Sequence, residues 1–268
     1  MSNHICLPER IETYLAERRR LGFERQHMGQ ALARFARYVE AVGHHGPLTV
    51  EVMAAWARQV KGGRGDRGTA ARALRLFRPF TRWLQQFEPA TEVPDEATFG
   101  PVPGRVTPHI FRDEEIEALL DAAGRLGPPL RSTVMRTLFG LIACTGLRIS
   151  EALALVDADV DLSVGVLTVR CSKFGKSRLV PLHRTTSIAL RSYAVRRDAH
   201  LGSRCGSTFF VAEQGGRLLH QYVHRVFGRL SREIGLRRPG DRTGPRVHDF
   251  RHRFAIRTLL DWYREGKN

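Results

Sequence analysis

Over the first hundred residues the apolar positions recur at helical spacing. Ile11, Tyr14, Leu15 and Arg18 begin one amphipathic run. Leu32, Phe35, Ala36, Val39 and Val42 carry a second, which Gly43 ends. Thr49 can accept a backbone N–H of a first helical turn, which predicts a third helix over Val50–Val60. A glycine-rich stretch, Gly62 to Gly68, breaks the pattern. A fourth helix then places Ala70, Ala73, Leu74, Phe77, Phe80, Trp83 and Leu84 on one side. Residues 88–108 hold Pro89, Pro94, Pro101, Pro103 and Pro108 with Gly100 and Gly104, a linker composition. The division expected is therefore a helical domain over 1–88, a linker over 89–108 and a second domain over 109–268.

The second domain opens with helices at about 112–124 and 129–144, the first with acids in its first turn, as the helix dipole favours. Val164–Cys171 and Ser177–Leu182 read as short strands of a hairpin whose turn is Lys173-Phe-Gly-Lys176. A helix at about 185–200 follows. Thr208–Val211 and Arg217–Leu219 suit a further strand and a short extension, and helices are expected at about 220–234 and 248–262. The fold class is mainly α with a small antiparallel β-sheet (α+β).

Charge narrows the partners. The 268 residues carry 43 Lys and Arg against 27 Asp and Glu, a net +16, and 42% of the residues are hydrophobic. That content builds real cores, and that field attracts polyanions. Nucleic acid is the first candidate and an anionic membrane surface the second. Residues 1–105 hold 16 basic and 11 acidic side chains, and residues 106–268 hold 27 and 16. The excess is almost all arginine, whose planar fork suits phosphate. Arg67, Arg72, Arg75, Arg78 and Arg82 lie on or near the side of the fourth helix opposite its apolar side, with no acids interleaved, as a phosphate-contacting face requires. The four cysteines form no CxxC pair, which fits a reducing compartment. Residues 1–20 are charged throughout, so no signal peptide is expected. The longest apolar stretch, around Leu138–Cys144, is too short for a bilayer. A cytoplasmic, nucleoid-associated protein with no membrane partner is expected.

The chemistry gathers in three places: Thr145-Gly-Leu-Arg148-Ile-Ser-Glu151, the turn with Lys173, and His248-Asp-Phe-Arg251-His252. A phosphodiester under attack accumulates negative charge on its non-bridging oxygens, and guanidinium groups stabilise it without changing protonation state. Gly146 permits a sharp turn before Arg148, and Glu151, three residues on, can orient that guanidinium. His248 and Arg251, also three apart, can face one anion, and Lys173 or His248 can trade a proton. Taken alone, Lys173 is an ordinary solvated turn lysine. His248 and His252 have a zinc-compatible spacing, as do His220 and His224. The first pair lacks an acidic base between its histidines and stands beside a cationic arginine, so no metal is expected.

In their order and spacing these motifs, with Arg178-Leu-Val-Pro-Leu182, closely resemble the tyrosine recombinase (phage integrase) family over roughly residues 106–262. Residues 1–88 resemble the family's core-binding domain more loosely. The resemblance implies that Arg148 and Arg251 clamp the scissile phosphate, that Glu151 supports Arg148, that Lys173 is the hairpin lysine and that His248 assists proton transfer. Lys176 and Arg178 join the helix arginines as expected DNA contacts. It further implies double-stranded DNA as partner, tetramers on DNA when a C-terminal tail is present, a phosphotyrosine intermediate, and neither metal nor other cofactor.

The chain departs from the pattern after Arg251. No Leu-Gly-His-type motif and no following tyrosine are found, and Tyr263 falls too soon to be the nucleophile. The expectation is a site-specific recombinase or integrase truncated before its nucleophile and incomplete as written. The alternative is a non-catalytic DNA-binding remnant that occupies sites or competes with intact recombinases. An RNA-binding or membrane-surface reading rests on charge alone and lacks a module signature.

Overall fold

The computed structural model describes residues 6–22, 26–60, 67–96, 98–100, 107–170, 176–204, 206–241 and 243–266. The chain divides into two units, residues 1–105 and 106–268.

The first unit contains α1 (Leu7–Arg20), α2 (Gln26–Ala41), α3 (Val50–Gln59) and α4 (Arg67–Leu84). Their starts follow from local chemistry. The Glu9 carboxylate accepts the Cys6 N–H at the head of α1, and the Thr49 hydroxyl accepts the Val52 N–H at the head of α3. The apolar stripes meet in an aromatic core in which Phe35 lies 4.6 Å from Phe77 and Trp56 lies 4.9 Å from Phe77, centroid to centroid. Tyr14 and Phe80, both fully buried, meet edge to face. The indole of Trp83 donates to Glu17 at 2.7 Å, joining α4 to α1.

The proline-rich stretch after α4 is not uniform. Thr91 is buried, the Glu92 N–H donates to the Leu48 carbonyl at 2.8 Å, and Phe99 packs on the helical core. Arg78 holds this return segment: its Nε donates to the Pro94 carbonyl at 2.7 Å, and its guanidinium pairs with Asp95 and Glu96.

The second unit contains α5 (Asp113–Gly124), α6 (Pro129–Thr145), α7 (Ile149–Ala154), β1 (Val160–Asp161), β2 (Val166–Val169), β3 (Arg178–Pro181), α8 (Arg184–Leu201), α9 (His220–Glu233) and α10 (Asp249–Arg264). The strands form one antiparallel sheet in the order β1-β2-β3, with Val160 opposite Leu167 and Val169 opposite Arg178. Leu167 and Val169 point inward from β2 while Val166 and Thr168 stay half-buried, the alternation of a sheet with one covered face. β2 starts two residues later than the apolar pattern suggests, because Gly165 turns the chain at φ +75°. The expected strand over Thr208–Val211 is reduced to isolated bridges, Val156 to Thr208 and Val211 to Arg217.

Phe111, Phe139, Phe227 and Phe250 interlock at the centre of this unit, Phe111 and Phe250 at 4.6 Å. Phe250 is fully buried, and truncating such a ring costs about 3–5 kcal/mol. Farther along α10, Leu259, Leu260, Trp262 and Tyr263 are exposed, so the helix is anchored through its first half. Among the described residues no helix is long and apolar enough to cross a membrane.

Candidate active site

The site is built on the turn between α6 and α7. Gly146 ends α6 in the left-handed region at φ +63°, and its N–H returns to the Ile142 carbonyl. The Thr145 hydroxyl donates to the Leu141 carbonyl, and Leu147 is buried. The chain therefore leaves α6 in a fixed direction, and Arg148 becomes the residue that opens α7. Glu151 then does two things. Its Oε2 accepts the Arg148 N–H at 3.0 Å, which caps α7, and its Oε1 accepts from Arg148 Nη1 at 2.7 Å.

Arg178, the first residue of β3, reaches the same carboxylate. Its Nη2 donates to Oε2 at 2.7 Å and its Nη1 to Oε1 at 3.2 Å. The Glu151 side chain is only 5% exposed. Burial alone raises its pKa, but the Arg178 bonds, the Arg148 N–H and the Arg148 guanidinium outweigh it and bring the carboxyl down to about 2.

The head of α10 completes the arrangement. Val247, Asp249 and Phe250 are buried, while His248 is exposed and Arg251 half-buried. Asp249 accepts the Arg246 N–H at 2.8 Å and Arg246 Nη2 at 3.1 Å, which fixes the first turn. Arg251 Nη1 donates to the Gly146 carbonyl at 2.6 Å. Burial, then the charge of Arg148, pulls the Arg251 pKa below the ordinary arginine value, and the Glu151 carboxylate opposes this. Three guanidinium groups thus crowd one carboxylate, an excess of positive charge that a bound phosphate would relieve. Partial desolvation, then His252 and Arg251, lowers the His248 pKa, which favours the neutral ring that can accept a proton.

The structure brings Arg148, Glu151, Arg251 and His248 into one unit, from α7 and the head of α10. Lys173 lies outside the described residues, as does the Arg67 side chain. Lys176 is exposed just before β3. Two of the expected DNA contacts have partners within the chain. Arg178 has two of its nitrogens on Glu151, so its geometry is that of a support inside the site. Arg78 is folded back onto Pro94, Asp95 and Glu96 because the return segment lies over α4 there. Arg72, Arg75 and Arg82 remain exposed on α4. No cluster of three or more metal-ligating side chains occurs among the described residues. His248 and His252 stand edge to face at 5.0 Å, and His220 and His224 at 4.5 Å.

Sequence reasoning missed two partnerships. Arg178 was legible as a basic strand residue, but its carboxylate partner is 27 residues away. Arg253 and Arg257 both reach Asp113 at the head of α5, Arg257 by two bonds of 2.9 and 3.0 Å. The spacing of Arg253 and Arg257, one helical turn apart, was the available signal.

Comparisons with known proteins bear on the family and the fold. The model of the phage integrase family matches residues 109–260. The chain is 39% identical over 261 residues to y4rB of Sinorhizobium fredii (strain NBRC 101917 / NGR234), an integrase/recombinase by name, covering 94% of this chain and 82% of that protein. It is 34% identical over 203 residues to the tyrosine recombinase XerD of Mycobacterium leprae (strain TN), covering 71% of this chain and 61% of XerD. The fold is similar to that of the Tn1549 transposon integrase in complex with transposon right end DNA, at TM-score 0.63 and 15% identity, over 96% of this chain and 87% of that one. It is also similar to a lambda integrase dimer bound to a core site, at TM-score 0.61 and 19% identity, over 94% and 89% of the two chains. The chain belongs to the phage integrase family, the tyrosine recombinases.

Proposed function

We propose that this chain acts in site-specific DNA recombination or integration, binding double-stranded DNA and holding one backbone phosphate between Arg148 and Arg251. The observation that carries this reading is the bracing of both arginines on the same turn, with Glu151 ionised between Arg148 and Arg178. Their forks stabilise charge on the phosphate oxygens as a strand breaks, and neutral His248 is suited to proton transfer. Lys173 is assigned as general acid by its spacing from Arg178. Residues 1–88 are assigned as the core-binding domain, 89–108 as the linker and 109–268 as the catalytic domain. Strand cleavage through phosphotyrosine conserves bond energy, so no cofactor is invoked. A homotetramer on DNA when a C-terminal tail is present, and a nucleoid-associated, cytoplasmic location, accompany this assignment.

The tyrosines favour a second reading, DNA occupancy without cleavage by this polypeptide alone. Tyr14 and Tyr193 are fully buried, and Tyr38 and Tyr222 are half-buried on α2 and α9. Tyr263 is exposed but lies on α10 itself, and the twelve residues from Arg251 rise about 18 Å along the axis. That distance is beyond the reach of its side chain in the same molecule. Incubation with nicked suicide duplexes of randomised sequence, read on a denaturing gel, separates the readings. The expected result is salt-sensitive duplex binding with no covalent adduct. A stable adduct abolished by Tyr263→Phe would overturn the second reading, and absence of duplex binding would overturn both.

A further inference from the structure

Glu151 receives two forks. One is local, from the N–H and Nη1 of Arg148 on its own helix. The other comes from the sheet, from Nη1 and Nη2 of Arg178. We propose that Arg178 is a positioning residue, which orients Arg148 for the phosphate by fixing the Glu151 carboxylate between α7 and β3. The proposal rests on the reading of Arg148 and Arg251 as a phosphate clamp and assigns Arg178 a part in it other than DNA contact.

Several features converge on this role. A carboxylate held by one partner can rotate about its terminal bonds, whereas two parallel bonds from a planar guanidinium fix its plane. Arg178 stands at a rigid position, paired across the sheet with buried Val169. Glu151 stands at another, beside Ala152 and Leu153 in the core. The bond between them therefore joins two packed elements rather than two loose side chains. Burial makes the pairing consequential, since removing one partner of a buried ion leaves the other under-compensated. Arg148, with one nitrogen bonded to Glu151, keeps further donors for an anion. Arg178 has both terminal nitrogens on Glu151, the geometry of a brace.

The test uses the whole chain with inorganic phosphate as probe, following the arginine side-chain N–H signals by NMR, together with duplex affinity measured against salt. Phosphate is expected to shift the Arg148 and Arg251 signals in the wild type. Arg178→Ala and Arg178→Lys are both expected to weaken phosphate binding by roughly tenfold, because lysine restores the charge and not the fork. Glu151→Gln should weaken it similarly, and the double variant Glu151→Gln/Arg178→Lys should be no weaker than either single one. The slope of duplex affinity against salt should stay at its wild-type value in Arg178→Lys. Full rescue by Arg178→Lys, or additive losses in the double variant, would overturn the proposal. Should Arg178→Ala fail to fold, the lysine variant and the double variant decide alone. Arg148→Ala separates the two levels. Loss of phosphate binding there with none in Arg178→Lys refutes only the positioning role, and no loss in either refutes the clamp itself.

Discussion

Arg251 Nη1 donates to the Gly146 carbonyl at 2.6 Å, so one arginine of the proposed clamp is braced on the turn that launches the other. The ring of Phe254, one turn farther along α10, closes on the same glycine. A Cβ at Gly146 would collide with that ring, and the residue also holds φ +63°. The turn and α10 are thus fitted to each other at a point where a side chain would collide.

Gly146→Ala is therefore expected to destabilise the protein by more than about 1 kcal/mol from backbone strain alone, with the ring collision in addition. Denaturant unfolding measures it. Adding Phe254→Ala should return the steric part and leave the backbone part, so the two changes will be strongly non-additive. Additive losses would show that Gly146 and Phe254 do not meet.

Glu151 should give the chain an acid-sensitive element. Its pKa is about 2 in the fold against an ordinary 4.5. A depressed carboxyl stabilises the fold fully above its unfolded value, and that stabilisation disappears as pH falls from 4.5 through 2. The difference corresponds to on the order of 3 kcal/mol for a side chain this buried. The stability gap between wild type and Glu151→Gln is expected to be widest above pH 5 and to narrow steadily below pH 4. Unfolding curves for both proteins across that range test it, and a gap independent of pH would refute it.

The helices and the turn that carries the proposed clamp were legible in the sequence because both follow from local pattern. The stripe from Ala70 to Leu84 specifies α4 by itself, and the turn at Gly146 is announced by a glycine between a helical run and Arg148. Two-residue β1 carries no period of its own and exists because Val160 finds Leu167. The partners of Arg178, Arg78 and Arg253 were illegible for the same reason. Each lies across a chain reversal, at Glu151, at Pro94 to Glu96 and at Asp113, and charge patterning sees only neighbours in sequence. Basic residues that look alike in a helical projection thereby divide into braces and exposed faces.

Asp113 illustrates this division. In sequence it is an acid in a first helical turn, yet in the fold it also receives Arg253 and Arg257 from α10. The Arg253 bond leads in holding its carboxyl below the ordinary range. Its contribution is thus present above that range and lost as pH falls. Asp113→Asn is expected to loosen α10 beyond Phe254, read as faster amide exchange over 255–264 with little change around the buried Phe250. High salt should shrink the difference, since these groups are exposed. Equal acceleration on both sides of Phe254 would count against a local staple.

The arginines of α4 should separate by function in the same way. Arg72, Arg75 and Arg82 are exposed on one stripe, and Arg78 is held by the return segment. A side chain that contacts a DNA phosphate releases about one counterion, so its removal lowers the slope of log affinity against log salt by about 1. Arg75→Ala and Arg82→Ala are expected to weaken duplex binding at all sequences and to reduce the slope by about that amount each. Arg78→Ala should leave the slope unchanged and lower thermal stability instead, because it removes the ties to Pro94, Asp95 and Glu96 that hold residues 91–99 on the helices. Titrations of labelled duplex at several salt concentrations, with melting curves of the same variants, distinguish the two classes. A reduced slope in Arg78→Ala at wild-type stability would mean that its guanidinium leaves Glu96 for a phosphate when DNA binds.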